Sequence, residues 1–180
     1  MSKATTQNSV PGVGTEAGST DRHRAVRQWL LRAAADAGRA EQEWRDEGVA
    51  LLRSGSLWGV VYIDGALVYA AAGTDDPVAA DRYLAEVLHG PVFANLMRRA
   101  YFVLTPTSTA HRAEWARPRD DAEYMGSGHY LSVPAPGRTD PGQRRYWCVE
   151  AARPGALATA DAVARLVQAG RDRLVTEQDD

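Results

Sequence analysis

The chain has 180 residues, of which 44% are hydrophobic and 24% charged, and its formal net charge is -2. One well-buried core is expected at this length, and the composition is that of a globular protein rather than a disordered or fibrous one. The slightly acidic balance disfavours a protein that holds duplex nucleic acid mainly by neutralising phosphates. The single cysteine, Cys148, excludes an intrachain disulfide and a zinc site built from several cysteines.

The N-terminal segment is predicted to be a disordered tail. Residues 1–20 are mostly small and polar and lack the apolar middle of a signal peptide. Because no apolar stretch approaches the length of a membrane span, we expect a cytoplasmic protein without a membrane contact. The folded domain is predicted over residues 21–175, with a frayed acidic end over residues 176–180.

Two helices are predicted before the first strand. Ser19 or Thr20 is suited to cap a helix that runs to about residue 37, since apolar side chains recur there at helical spacing. A second helix over residues 40–47 contains Trp44 and ends at Gly48, because glycine favours the left-handed conformation that often ends a helix.

After Gly48 the pattern changes to short, β-branched runs. Residues 49–52 and 57–63 are predicted strands, separated by a turn. Residues 66–72 are compatible with a helix or a strand, and their alanines favour a helix. A further helix is predicted from the Thr-Asp-Asp-Pro turn at residues 74–77 to about residue 90.

The second half of the chain continues the alternation of strands and helices. Strands are predicted at residues 91–94, 100–104 and 130–133, with residues 145–149 as a hairpin partner of the last. A short helix from Ser108 or Thr109 to about Trp115, a polar loop over residues 118–123 and a final helix capped by Thr159 are also predicted. These elements indicate a single α+β domain with a mixed or antiparallel sheet flanked by helices.

One turn carries candidate ligand-binding residues: Ser127, Gly128 and His129. Glycines let a backbone approach a phosphate closely, and a histidine at a strand start can hydrogen-bond a phosphate or a base. A plain hairpin turn has the same composition and is the favoured interpretation of these residues when they are taken alone.

A second candidate is a basic helix. Arg22, Arg24, Arg27 and Arg32 surround apolar residues near the N-terminus and are candidates for contacts with nucleic acid. The alternative, which the pattern favours, is the solvated face of an amphipathic helix.

Several short motifs follow one another in an order typical of a known family. They are Trp44, Arg45 and Gly48; the turn at residues 74–77; Gly90 to Phe93; Pro106 with Ser108 and Thr109; the turn and strand at residues 126–134; and Tyr146 with Trp147. With them the chain resembles small Streptomyces proteins related to the bifunctional DNA primase/polymerase (prim-pol) domain of the archaeo-eukaryotic primase superfamily. The resemblance spans roughly residues 44–166 and implies a primase/polymerase-like α+β fold.

Two alignments with this family are mutually exclusive in detail. In one, Ser127, Gly128 and His129 match a Ser-x-His element that precedes a core strand. In the other, the glycine-rich turn leads to a strand that ends in Pro134, Ala135 and Pro136 and then to the Tyr146 strand. The second alignment is preferred because it accounts for more of the chain.

The chain departs from the family at the metal-binding carboxylates. Nucleotidyl transfer by two metal ions needs at least two carboxylates in one site, which the family supplies as Asp-x-Asp or Asp-x-Glu. Here Asp64 ends an apolar run, but the residue two positions on is Ala66. Asp120 and Asp121 follow in a predicted loop, where a solvated acidic surface is the favoured interpretation.

These observations predict a catalytically degenerate prim-pol-like domain that acts as a binding or regulatory module. Its expected partner is a protein, a nucleotide or nucleic acid, and no metal ion or other cofactor is expected. Two alternatives remain. One is an active nucleotidyltransferase that uses Mg²⁺ or Mn²⁺ with Asp64, Asp120 or Asp121 and His129; the other is a DNA-binding accessory protein that uses the arginines of the first helix.

Overall fold

The structure is a computed structural model that describes residues 13–179 of the chain. Within that range the helices are α1 (Val13–Leu31), α2 (Ala37–Asp46), α3 (Gly65–Ala72), α4 (Pro77–Leu88) and α5 (Ala160–Asp179). The strands are β1 (Val49–Arg53), β2 (Gly59–Asp64), β3 (Val92–Asn95), β4 (Ala100–Thr105), β5 (Ala122–Met125), β6 (Tyr130–Pro134) and β7 (Arg145–Val149). Short 3-10 helices lie at Leu96–Arg98, Thr107–His111 and Ala113–Trp115.

The strands form two sheets. The larger sheet has the order β5-β2-β4-β3-β7, and β1 pairs with β6 in a separate two-stranded sheet. All of these pairings are antiparallel. Together with the helices they confirm the predicted α+β class and, of the two sheet types expected, establish the antiparallel one.

The five-stranded sheet is buried on both faces, which explains its long apolar runs. On β2, Val61 and Ile63 belong to the core formed with α3, α4 and α5, whereas Val60 belongs to the core formed with α1, α2 and the two-stranded sheet. Successive side chains of a strand point to opposite faces. One strand therefore contributes to both cores, and both of its faces must be apolar.

The helix boundaries follow capping chemistry. The Asp36 carboxylate accepts a hydrogen bond from the Arg39 backbone N–H at 3.0 Å, and the Thr159 hydroxyl accepts one from the Ala162 backbone N–H at 3.2 Å. Asp76 caps α4, with Pro77 at its first position. The starts predicted at residues 74–77 and at Thr159 are thus confirmed, and residues 66–72 are helical, as their alanines suggested.

The first and last helices differ from the prediction in their limits. Helix α1 begins at Val13, before the predicted caps, and ends at Leu31, because a turn follows in which Ala33 donates to the Leu30 carbonyl at 2.9 Å. Residue 37 therefore starts α2 instead of ending α1. Helix α5 continues to Asp179, through the predicted frayed end. Residues 1–12 and 180 lie outside the described range. None of the helices in residues 13–179 has the length and apolar character needed to cross a membrane.

The predicted hairpin of residues 130–133 with residues 145–149 is wrong. Strand β6 pairs with β1, and β7 pairs with β3. Tyr146 is buried in one core and Trp147 in the other, so β7 needs a position with both faces covered, which the five-stranded sheet provides. Strand β6 lies in the outer layer, where Tyr130 is 52% exposed.

Two other connections also differ from the prediction. Part of the predicted polar loop at residues 118–123 belongs to strand β5, in which Ala122 pairs with Ile63. Only Ala122 of this edge strand is fully buried, so the sequence lacks an apolar run there. The short helix expected to end at Trp115 is a pair of 3-10 helices.

The outer edge of β1 is covered by backbone and side-chain partners. The Leu51 backbone N–H donates to the Glu43 carboxylate at 3.0 Å, and the Arg53 backbone N–H donates to the Ala33 carbonyl at 2.9 Å. The pKa of Glu43 is lowered, mainly by the hydrogen bond that it accepts from the Leu51 N–H and to a smaller extent by the one from Arg39. Helix α2 and the turn after α1 are thereby attached to the two-stranded sheet.

Candidate functional site

Asp64 lies at the end of β2 and caps α3. Its Oδ1 accepts a hydrogen bond from the Ala66 backbone N–H at 2.8 Å, which satisfies one of the free donors at the helix start. Burial raises the pKa of the neighbouring Tyr62, and the negative charge of Asp64 raises it further. The first of the predicted catalytic carboxylates is therefore engaged in a helix cap.

Asp121 lies beside Asp64, and its carboxylate is also engaged. The Asp64 backbone N–H donates to the Asp121 carbonyl at 2.8 Å. The Asp121 carboxylate accepts hydrogen bonds from Arg171 Nε at 2.7 Å and Nη2 at 2.8 Å. This ion pair lowers the pKa of Asp121 below its ordinary value of 3.8. Asp120, the residue before Asp121, is exposed.

The fold brings the three predicted acids to one end of the sheet and leaves His129 at the other. Asp64 ends β2, whereas His129 lies against the turn before β2, where its carbonyl accepts from the Ser54 N–H at 3.0 Å. The five residue steps of β2 span about 17 Å. No group of three or more His, Cys, Asp or Glu side chains among the described residues is placed to hold a metal ion.

The turn at Ser127, Gly128 and His129 is tied to the turn before β2. Gly128 has φ +90°, and the His129 ring nitrogen Nδ1 lies 3.2 Å from the Gly126 carbonyl. A Cβ on Gly55 would come within 2.2 Å of the Ser127 nitrogen, so the two turns are in close backbone contact. Ser127 is exposed and lines two cavities of about 410 and 330 Å³, and Gly128 and His129 line the smaller one. Their role in ligand binding stays a prediction.

The arginines of the first helix do not form a continuous basic stripe. Arg24 pairs with Asp21 at 3.0 Å, and the Arg27 guanidinium lies 5.1 Å from the centre of the Trp44 ring. At about 100° per residue, Arg22 and Arg24 are directed to opposite sides of α1. Arg32 lies beyond the end of the helix. The predicted contacts of these residues with nucleic acid stay untested.

A different cavity has the strongest charge asymmetry of those described. It has a volume of about 360 Å³ and opens where the connection between β3 and β4 meets the start of β7. We call it the arginine pocket, and it is lined by Glu47, Val49, Asn95, Met97, Arg98, Arg138, Arg144 and Arg145. With four arginines and one glutamate, the lining has a net positive charge.

Strand pairing assembles the arginine pocket. Asn95, the last residue of β3, is paired with Arg145, the first residue of β7. The adjacent Leu96 N–H donates to the Arg144 carbonyl at 3.1 Å, and Arg98 follows in the 3-10 helix that leads to β4. The antiparallel pair β3–β7 thus places one arginine-containing segment beside another that is distant in sequence.

Arg138 is held in a fixed position at the side of the pocket. Its Nε donates to the Arg145 carbonyl at 3.0 Å. Its guanidinium lies over Gly48, where an added Cβ would come within 2.0 Å of Nη1. Gly48 has φ +74°. A glycine therefore allows the backbone to turn at the end of α2 and also leaves room for the Arg138 guanidinium.

The charges of the arginine pocket are not neutralised by the described part of the chain. Arg98, Arg144 and Arg145 form no ion pair with any side chain in residues 18–177. Burial lowers the pKa of Arg145, and the positive charge of Arg98 lowers it further. Two cations therefore lie close together, and an anion between them would relieve their repulsion.

A buried amide also lines the arginine pocket. Asn95 is only 5% exposed, yet its side chain makes no hydrogen bond with the residues that the structure describes. Its amide atoms are not among the fully enclosed side-chain atoms that lack a partner in the described residues, so they remain open to the cavity. The Asn95 amide is therefore a polar group available to a ligand.

The sequence contains only a weak signal for this site. Arg98 with Arg99, and Arg144 with Arg145, are paired arginines next to predicted strands. Their proximity depends on the pairing of β3 with β7, and the predicted hairpin of β6 with β7 placed them apart. Another cavity, of about 420 Å³, has mixed charges, with Arg99 beside Asp75 and Glu177.

Comparisons with known proteins add no relative. No protein-family model matches the chain, and no curated protein and no solved structure matches it.

Proposed function

We propose that this chain is a non-catalytic binding module that holds an anionic ligand in the arginine pocket. In this proposal it is a prim-pol-like domain without the catalytic carboxylate pair, acting in an actinobacterial cytoplasm. Ligand binding would regulate a protein partner or the module itself, and no metal ion takes part in binding.

One observation carries the proposal. Four arginines and the Asn95 amide line a single cavity, and no acidic side chain in residues 18–177 pairs with Arg98, Arg144 or Arg145. Guanidinium groups form short, charge-assisted hydrogen bonds with carboxylates and phosphates. Burial and the nearby charge of Arg98 disfavour the charged form of Arg145. An anionic ligand would stabilise that charged form.

The positions of the acids support the non-catalytic part of the proposal. Two-metal nucleotidyl transfer requires carboxylates that are free to bind metal ions. Asp64 is used by the start of α3, and Asp121 is used by Arg171. His129 lies at the other end of β2, so the set Asp64, Asp121 and His129 does not converge on one point.

The binding part is tested by an anion screen. Thermal unfolding of the chain is measured in chloride, sulfate, phosphate and citrate at equal ionic strength. We expect the multivalent anions to raise the unfolding temperature of the wild type, because they bind the folded state only. The rise should be lost in the double variant Arg98→Ala/Arg144→Ala. The control Arg82→Ala/Arg165→Ala removes the same charge from exposed positions and should keep it.

The non-catalytic part is tested with a primed template and labelled dNTPs or NTPs in Mg²⁺ or Mn²⁺. We expect no incorporation. Incorporation that disappears in Asp64→Ala would establish the nucleotidyltransferase alternative instead. Binding to duplex DNA that weakens steeply with salt and requires Arg22 and Arg24 would favour the accessory-protein alternative.

A further inference from the structure

The arginine pocket also indicates which class of anion it takes. Resting on the proposed function, we infer that the ligand is a small molecule with a doubly charged phosphate group, and that it is neither a carboxylate nor a nucleic-acid strand. The number of donors, the extent of the basic surface and the apolar part of the lining each support this inference.

The donors outnumber the oxygens of a carboxylate. Arg98, Arg144 and Arg145 lack acidic partners in the described residues, and the Asn95 amide adds a further donor. A carboxylate has two oxygens and one negative charge, whereas a phosphate monoester has three free oxygens and nearly two charges at neutral pH. A phosphate therefore satisfies more of these donors and offsets more of the positive charge.

Along the sheet, the arginines of the pocket are followed by carboxylates. Along one rung of the sheet, Arg145 is paired with Asn95, Asn95 with Ala100, and Ala100 with Asp64. Three strand spacings, about 14 Å, separate the arginine side of this rung from its acidic side, where Asp120 and Asp121 also lie. A nucleic-acid strand needs a continuous basic groove, and along this rung the Asp64 carboxylate interrupts the basic residues.

The pocket has an apolar side for the rest of the ligand. Met97 is 70% exposed beside Arg98, and Val49 lines the same cavity. A methionine side chain is flexible and polarisable, so it adapts to organic groups of different shape. The cavity, at about 360 Å³, is at the small end of the range of roughly 300–1,000 Å³ that is typical of small-molecule sites.

The arginines are assigned different parts in binding. Arg138 is held by the hydrogen bond from its Nε to the Arg145 carbonyl, so it provides a positive charge at one wall. Arg98 and Arg144 are exposed and are free to close on the phosphate oxygens. Removing these two should weaken binding without disturbing the fold.

The inference is tested by calorimetric titration with ribose 5-phosphate, pyrophosphate, gluconate, sulfate and a 20-nucleotide single-stranded DNA at constant ionic strength. We expect ribose 5-phosphate and pyrophosphate to bind at least about tenfold more tightly than the monocarboxylate gluconate, and the Arg98→Ala/Arg144→Ala variant to lose about tenfold or more in affinity. The Arg82→Ala/Arg165→Ala control should bind as the wild type does. Unfolding temperatures without ligand establish that both variants are folded.

A pH series tests the charge of the phosphate directly. The second ionisation of a phosphate monoester lies near pH 6, so binding of the dianion alone predicts affinity for ribose 5-phosphate that rises about fourfold from pH 5.5 to 7.5. Sulfate keeps its charge over this range and should show no change. The other charged groups that line the cavity are Glu47 and the four arginines, and no histidine does so.

The outcomes separate this inference from the proposed function. If no anion binds, the proposed function fails. Gluconate binding as tightly as ribose 5-phosphate would leave the proposed function standing and overturn the phosphate inference. The inference also fails if the DNA strand binds more tightly than pyrophosphate, or if sulfate shows the same pH dependence as ribose 5-phosphate.

Discussion

The Asp121 carboxylate and the Arg171 guanidinium form a two-point ion pair, with Nε 2.7 Å from Oδ2 and Nη2 2.8 Å from Oδ1. Asp121 directly precedes the edge strand β5, and Arg171 lies on α5. The pair therefore attaches the edge of the five-stranded sheet to the last helix. Its geometry suits a structural role for an acid that the sequence suggested as a metal ligand.

A double-mutant cycle should measure this attachment. For Asp121→Asn and Arg171→Met we expect a coupling free energy of about 0.5–1 kcal/mol, since the pair is bidentate but partly open to solvent. The same cycle at Asp21 and Arg24, whose side chains are 74% and 65% exposed, should give about 0.3 kcal/mol or less. Urea unfolding supplies the free energies. Equal coupling at both sites would contradict the assigned role.

The same ion pair predicts a loss of stability in acid. Arg171 lowers the pKa of Asp121 in the folded state, so the stabilisation is present above pH 3.8, the ordinary value, and is lost as the pH falls through the folded-state pKa. The difference in unfolding free energy between the wild type and Asp121→Asn should therefore shrink from pH 6 towards pH 2. A constant difference would argue that Asp121 acts through packing alone.

Asp64 should behave as a helix cap under mutation. Asp64→Ala removes the acceptor for the Ala66 N–H and is expected to lower the unfolding free energy by about 1 kcal/mol. Asp64→Ser keeps an acceptor at the cap position and should recover most of this loss. The readout is chemical unfolding followed by circular dichroism. Equal losses in both variants would show that the carboxylate matters for a reason other than capping.

Asp81 should show the opposite pH dependence to Asp121. Burial raises its pKa, while Tyr146 donates to its Oδ2 at 2.7 Å. A raised folded-state pKa favours the protonated acid, so this contribution to stability is present below pH 3.8 and is lost as the pH rises through the folded-state pKa.

The variant Asp81→Asn keeps an oxygen for Tyr146 and removes the ionisation. Relative to the wild type, it should gain stability between pH 4 and pH 7, measured as the urea midpoint at each pH. For the exposed control Asp75→Asn, the difference in urea midpoint from the wild type should change little between pH 4 and pH 7. The prediction would be contradicted if Asp81→Asn were less stable than the wild type by the same amount at pH 4 and at pH 7.

Two glycines with similar backbone angles should respond differently to alanine. Gly55 and Gly128 have φ +94° and +90°, and a side chain there costs about 1–2 kcal/mol of backbone strain. A Cβ on Gly55 would also collide with the Ser127 backbone, whereas Gly128 has no atom within 4 Å of that position. Gly55→Ala should therefore be the more destabilising, by more than about 1 kcal/mol. Similar unfolding free energies for the two variants would show that the turns are not packed together.

Much of the local structure could be predicted from the sequence because its signals are local. The caps at Asp76 and Thr159 depend on residues within one turn of each helix. The continuous apolar run of β2 by itself indicates that both faces of this strand are buried. Such signals are independent of where the rest of the chain goes.

The pairing of distant strands could not be predicted in this way. The residues of β7 do not indicate whether the strand pairs with β3 or with β6, and the loop between β6 and β7 is compatible with either pairing. Strand β5 was missed because only Ala122 is fully buried. The arginine pocket depends on the same long-range pairing, so the sequence emphasised the Arg22 to Arg32 segment, where basic residues are adjacent along the chain.

The hydrogen bonds along the outer side of β1 also bear on self-association. A strand at a sheet edge exposes donors and acceptors to which another chain can add a strand of its own, and this is a common route to aggregation. With the Leu51 and Arg53 donors occupied by Glu43 and Ala33, β1 offers an incoming strand fewer unpaired groups. Although Leu51 is 50% exposed, this side of the small sheet is protected against intermolecular strand addition.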